Sequence, residues 1–90
     1  MELECVFFGP LRDVVGQKTV RYETDAETAG ELLGDLQESY PELGTLVEDG
    51  ELAGGIVVTH NHKHLRHRNG LETPLNDGDT VRLTPTIKGG

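Results

Sequence analysis

Ninety residues predict one small domain, and a chain of this size must rely on a single compact core. Sixteen acidic side chains face eight Lys and Arg, a formal net charge of −8, which excludes nucleic acid and anionic membranes as natural partners because phosphates are repelled. The lone Cys5 excludes a disulfide framework and a Cys-based zinc site, and no apolar run approaches the roughly 18 residues of a membrane span.

The opening Met-Glu-Leu-Glu lacks the basic start and long apolar stretch of a secretion signal, so a cytoplasmic location is expected. An acidic surface with only three lysines, Lys18, Lys63 and Lys88, suits a high-salt cytoplasm, where screening removes the repulsion between carboxylates.

From Leu3 the chain alternates, with Leu3, Cys5 and Phe7 on one face and Glu2 and Glu4 on the other. Val6 and Phe8 make the outer face apolar as well, which predicts either an exposed binding patch or cover by a loop. Gly9-Pro10 ends this strand and starts a short helix through Val15, which Gly16 terminates. Lys18 to Glu23 alternates again, with Val20 and Tyr22 inward.

Thr28-Ala-Gly-Glu31 fits a capping box, and Ala29, Leu32, Leu33, Leu36 and Tyr40 follow at helical spacing. The main helix is therefore expected over Thr28 to Tyr40, stopped by Pro41. Residues 41–55 read as an irregular loop pinned by Leu43, Leu46 and Val47. Ile56 to His60 is a short strand, Asn61-His62 a turn, and His64 to His67 a return strand. A turn at Asn69-Gly70, an apolar loop at Leu71, Pro74 and Leu75, and the turn Asn76-Asp77-Gly78-Asp79 lead to a last strand over Thr80 to Thr84. Regular pairing is expected to stop near Pro85, which has no N–H to give. One amphipathic helix then covers one face of a mixed four- to five-stranded sheet, an α+β roll. The domain occupies residues 1–85, and residues 86–90 form a flexible tail.

The tail, Thr86-Ile87-Lys88-Gly89-Gly90, carries the functional signal. Two glycines without Cβ atoms make a thin end that can enter a narrow channel to a reactive centre. Ile87 can anchor in a partner's pocket, and Lys88 offers charge to its rim. Val6, Phe8, Val57, Arg82 and Thr84 project to the outer sheet face and are the candidate docking surface. His60, His62, His64 and His67 sit among Lys63, Arg66 and Arg68, the one basic stretch. His60 and His64 are the candidates for a metal pair across a hairpin, while a solvated loop that gains charge below about pH 6.5 is the simpler reading. Cys5 reads as a buried structural thiol rather than a nucleophile.

Phe8-Gly-Pro-Leu-Arg-Asp-Val-Val-Gly16, the helix ending in Tyr40-Pro-Glu-Leu43, the turn Pro74-Leu-Asn-Asp-Gly-Asp79 and the terminal Gly89-Gly90 together resemble the small subunit of molybdopterin synthase. They equally resemble the small archaeal modifier proteins of the same ubiquitin-like superfamily. The resemblance implies a β-grasp fold and a shared chemistry. An E1-like activating enzyme uses ATP to adenylate the terminal carboxylate, here that of Gly90. A lysine of a target protein then takes the acyl group as an isopeptide, or a sulfur donor converts it to a thiocarboxylate for molybdopterin synthesis or tRNA thiolation.

The chain would thus be a carrier that binds no cofactor itself. Its partners would be the activating enzyme, target lysines and the large subunit of a molybdopterin synthase, and alone it would be a monomer. Lys18, Lys63 and Lys88 are the lysines that could accept another modifier. Pro85-Thr-Ile-Lys88 departs from the proline-rich run that family members often carry before the diglycine, which makes this tail less stiff and more basic. A third reading is a binding module that is never conjugated and uses the sheet only as a scaffold.

Overall fold

The chain, seen in a computed structural model that describes residues 1–86, alternates strands and helices in the expected order. Ile87, Lys88, Gly89 and Gly90 lie outside the described residues. Strand β1 (Glu2–Phe7), helix α1 (Pro10–Val15) and strand β2 (Thr19–Glu23) form a wide antiparallel hairpin, with Cys5 opposite Val20. Gly16 closes α1 in the left-handed region at φ 89°, where a side chain would be strained, and its N–H donates to the Arg12 carbonyl at 2.8 Å.

Helix α2 (Ala29–Ser39) starts where the capping box places it. The Thr28 hydroxyl accepts from the Glu31 N–H at 3.2 Å, and Glu31 Oε1 reaches back one residue further than expected, to the Glu27 N–H at 2.8 Å. Leu32, Leu33 and Leu36 have no solvent exposure, and each contributes roughly 1.5–3 kcal/mol by leaving water.

The stretch 41–55 is more ordered than the sequence suggests. A 3₁₀ turn at Pro41–Leu43 precedes a two-stranded hairpin of β3 (Val47–Glu48) and β4 (Glu51–Leu52). Asp49 and Gly50 both take positive φ, 51° and 76°, as a tight hairpin turn requires. Leu43 and Leu46 are buried as expected, and Gln37 Oε1 of α2 ties the hairpin down by accepting from the Leu46 and Val47 N–H groups.

Strand β5 (Ile56–His60) turns through Asn61 and His62, both at positive φ, into the two-residue strand β6 (Lys63–His64). The expected return strand to His67 is cut short. The His64 imidazole Nδ1 accepts from the Arg66 N–H at 2.9 Å and caps a 3₁₀ turn over Leu65–His67.

Strand β7 (Thr80–Pro85) lies parallel to β1 and antiparallel to β5, giving the sheet order β2-β1-β7-β5-β6. This is the β-grasp roll, five strands with α2 against one face. Regular pairing ends at Pro85 as expected, with one further backbone bond beyond it. The Thr86 N–H still donates to the Gly55 carbonyl at 3.0 Å. Even-numbered residues of β7 bond toward β5, so the missing Pro85 donor faces the β1 side, where that strand has already ended at Phe7.

Candidate functional site

The residues at which β7 ends define one pole of the molecule. β1 ends there at Phe7, β5 begins there at Ile56, and the described chain leaves the sheet there at Thr86. The register sets Thr19, Val6, Arg82 and Thr59 in one row across the face away from α2, with Thr84 beside Val57 in the next. Val6, Val57, Arg82 and Thr84 therefore share that face, and Phe8, just past the end of β1, donates its N–H to the Leu83 carbonyl at 3.1 Å. Phe8, Val57, Arg82 and Thr84 are each half-buried.

Val6 is a correction. It stands on a central strand between Thr19 and Arg82, only 6% of it reaches solvent, and it contributes little contact surface of its own. A side chain so placed is shielded by its cross-strand neighbours. Lys18 Nζ lies 5.5 Å over the Phe8 ring, and Arg82 Nη1 donates to His62 Nδ1 at 2.8 Å, so the apolar centre is edged by cations. Beside the same pole a groove of about 600 Å³ opens next to Thr86, with Leu52, Ile56, Leu65 and Leu71 along it.

The histidines are not brought together as a metal pair. His60 pairs with Lys63 and His64 with Thr59, which puts the two imidazoles on opposite faces of the sheet. Among the described residues no group of three His, Cys, Asp or Glu side chains could hold a metal ion. Nor are all four imidazoles solvated. His60 is buried, its Nε2 donating to Asp79 Oδ2 at 2.7 Å, while its Nδ1 is buried without a hydrogen-bond partner among the described residues. Burial pushes the Asp79 carboxyl up, but hydrogen bonds from His60, the Asn76 N–H and Asn61 outweigh it and hold the group below its ordinary value. For His64, burial first and then the neighbouring Arg66 and His67 lower the imidazole below its usual value.

Asp79 is the residue that reading the sequence overlooked. The alternation Ile56-Val58-His60 already pointed His60 inward, and a buried imidazole requires a partner. Cys5 is inward as expected, with burial first and Glu4 second pushing its thiol up to about 12, so it is no nucleophile.

What this scaffold presents is a sheet face away from α2, with the described chain leaving the sheet beside it at Thr86. The sequence matches the ThiS family over residues 5–90. The chain belongs to that family. Its members similar to this chain include small archaeal modifier protein 3 of Haloferax volcanii, 41% identical over 92 residues that span the whole of both chains. The sulfur carrier protein CysO of Mycobacterium tuberculosis is 30% identical over 79 residues, 83% of each chain. Among solved structures, CysO of Amycolatopsis orientalis, determined in complex with BexX, superposes with a TM-score of 0.81 at 29% identity, covering 98% of this chain and 99% of that one. This ThiS-family chain is thus a ubiquitin-like β-grasp protein whose relatives are modifiers and carriers. Among the described residues no helix is long and apolar enough to cross a membrane.

Proposed function

We propose that this chain is a ubiquitin-like protein modifier, activated at the Gly90 carboxylate and joined through it to lysines of target proteins. The observation that carries this reading is the end-to-end similarity to a small archaeal modifier protein, in a chain whose sequence closes on Gly89-Gly90. The chemistry follows from the carboxylate. A carboxylate resists attack by an amine, whereas an acyl-adenylate made with ATP by an activating enzyme loses AMP readily. The sheet face with Phe8, Val57, Arg82 and Thr84 docks that enzyme, and the last ladder bond, Thr86 to Gly55, fixes where the tail departs. This chain itself supplies the acyl group and the docking surface, and its partners supply the catalytic groups.

A second reading is favoured by the similarity to a sulfur carrier. The same activated carboxyl, met by a sulfur donor, becomes a Gly90 thiocarboxylate for molybdopterin synthesis or tRNA thiolation, and the two roles are compatible. The test is ATP-dependent pyrophosphate release with the purified activating enzyme, comparing the intact chain with one lacking Gly90. Release by the intact chain alone supports activation at Gly90. Equal release, or none from either, contradicts it and leaves the binding-module reading.

A further inference from the structure

The groove beside Thr86 runs along an open edge of the sheet. On the side away from β7, strand β5 is paired only at Thr59 and His60, by the two residues of β6. Among the described residues, Ile56, Val57 and Val58 have no ladder partner on that side. The Thr86-to-Gly55 bond fixes which groups point there. Odd-numbered residues of β5 bond toward β7, so the Ile56 N–H and C=O face the open side. An extended segment laid against Ile56 meets main-chain donors and acceptors on one wall and Leu52, Leu65 and Leu71 on the others.

The sequence supplies such a segment where the groove begins. Thr86 itself lines the groove, and Ile87-Lys88-Gly89-Gly90 follows it directly. Fully extended, these residues reach roughly 13–14 Å. Arg66, which also lines the groove, comes just after His64, and His64 stands opposite Thr59, roughly 10 Å along β5 from Ile56. The reach therefore suffices. Its chemistry also matches in order: the one apolar side chain, Ile87, comes first, and the two glycines let the backbone lie close. The charged groups along the groove are Glu51, Glu72 and Arg66, all exposed, with the half-buried His64 beside them. Among the described residues, the side chains of Glu51, Glu72 and Arg66 make no ion pair. Lys88 complements the two carboxylates, and the Gly90 carboxylate complements Arg66. The segment carries one cation and one anion, so the net negative charge of the chain neither draws nor expels it as a unit.

We infer that this groove is the resting seat of the chain's own end, with Ile87 against Leu52, Leu65 and Leu71 and the Gly90 carboxylate held at Arg66. A seated end withholds Gly90 from an activating enzyme. That consequence rests on the modifier reading, whereas the seat itself does not. Burying one Ile side chain only offsets the ordering of a few residues, so the seat releases the end readily instead of locking it. A seat filled half the time raises the apparent KM for activation about twofold.

NMR of the isotopically labelled intact chain tests this, beside a chain ending at Thr86 and an Arg66→Glu chain. Cross-peaks from the Ile87 methyls to those of Leu52, Leu65 and Leu71 are expected, unchanged on dilution, and removing residues 87–90 should shift those leucine methyls. Arg66→Glu should weaken the cross-peaks and lower the KM for ATP-dependent pyrophosphate release about twofold. Missing cross-peaks, with leucine methyls unmoved by the truncation, would overturn the inference. Cross-peaks seen only between differently labelled copies would give the groove to a second copy's end and overturn it equally. Cross-peaks together with an unchanged KM in Arg66→Glu would overturn the withholding of Gly90. Absence of pyrophosphate release from the intact chain would overturn the modifier reading, and the cross-peaks would still decide the seat.

Discussion

Replacing Asp79 with Ala removes the acceptor on which the turn before β7 is built. Its Oδ2 takes the His60 Nε2–H at 2.7 Å and the Asn76 N–H at 2.8 Å, and its Oδ1 takes Asn61 Nδ2 at 3.1 Å. Hydrogen bonds to a charged group contribute about 1.5–3 kcal/mol each when well shielded. The Asp79 side chain is 13% exposed and the Asn61 contact is open to solvent, so the three do not sum at that rate. The larger part is His60, which is left buried with Nδ1 unpartnered and with only the long 3.5 Å approach of Asn61 Nδ2 at Nε2. Together these give a loss of about 3 kcal/mol. At roughly 1 kcal/mol per molar, that lowers the urea midpoint by about 3 M, or the melting temperature by about 12–24 °C.

The pH dependence has a definite sign. Asp79 is held below its unfolded value of 3.8, so the unfolded chain binds the proton more tightly. The stabilisation is therefore complete well above 3.8 and fades as pH falls through the lower folded value. Asp79→Asn should remove this contribution to the acid slope. Urea curves at pH 7 and across the acid range measure both effects. An unchanged midpoint in Asp79→Ala, with an unchanged acid slope in Asp79→Asn, would refute the role assigned to the pair.

Phe8→Ala should raise the KM for activation by roughly tenfold while leaving the melting curve nearly in place, since the ring is only half-buried; an unchanged KM would remove this face from the account. Leu36→Ala, in the fully buried α2 stripe, should cost about 2–5 kcal/mol by chemical denaturation, and a smaller loss would mean that the core collapses around the gap. His64 should titrate by NMR below its ordinary 6.5, and because the neutral ring is favoured in the fold, this group should add stability as pH rises through that window. Cys5 should resist a thiol reagent at pH 8 until urea unfolds the chain, and rapid labelling of the native form would contradict its burial.

Local signals were legible where one residue type has one use. Thr28 with Glu31 started α2, Gly16 closed α1, and Asn61-His62 turned β5 back on itself. The β3–β4 hairpin escaped reading although Asp49-Gly50 is a strong turn signal, because each of its strands is two residues long and shows no alternation. The burial of Val6 was not legible either, since it depends on which side chains the parallel β1–β7 register sets beside it. Asp79 was read only as part of a turn. Its pairing with His60, 19 residues away, exists only once β5 and β7 lie side by side.

The central claim, conjugation through Gly90, is tested most directly by mass spectrometry of the N-terminally tagged chain purified from its native host under denaturing conditions. The account expects Gly-Gly remnants on lysines of other proteins, lost when Gly90 is deleted. A chain that carries no conjugates, and whose free end is heavier only by the exchange of oxygen for sulfur, would contradict it and make the protein a sulfur carrier alone.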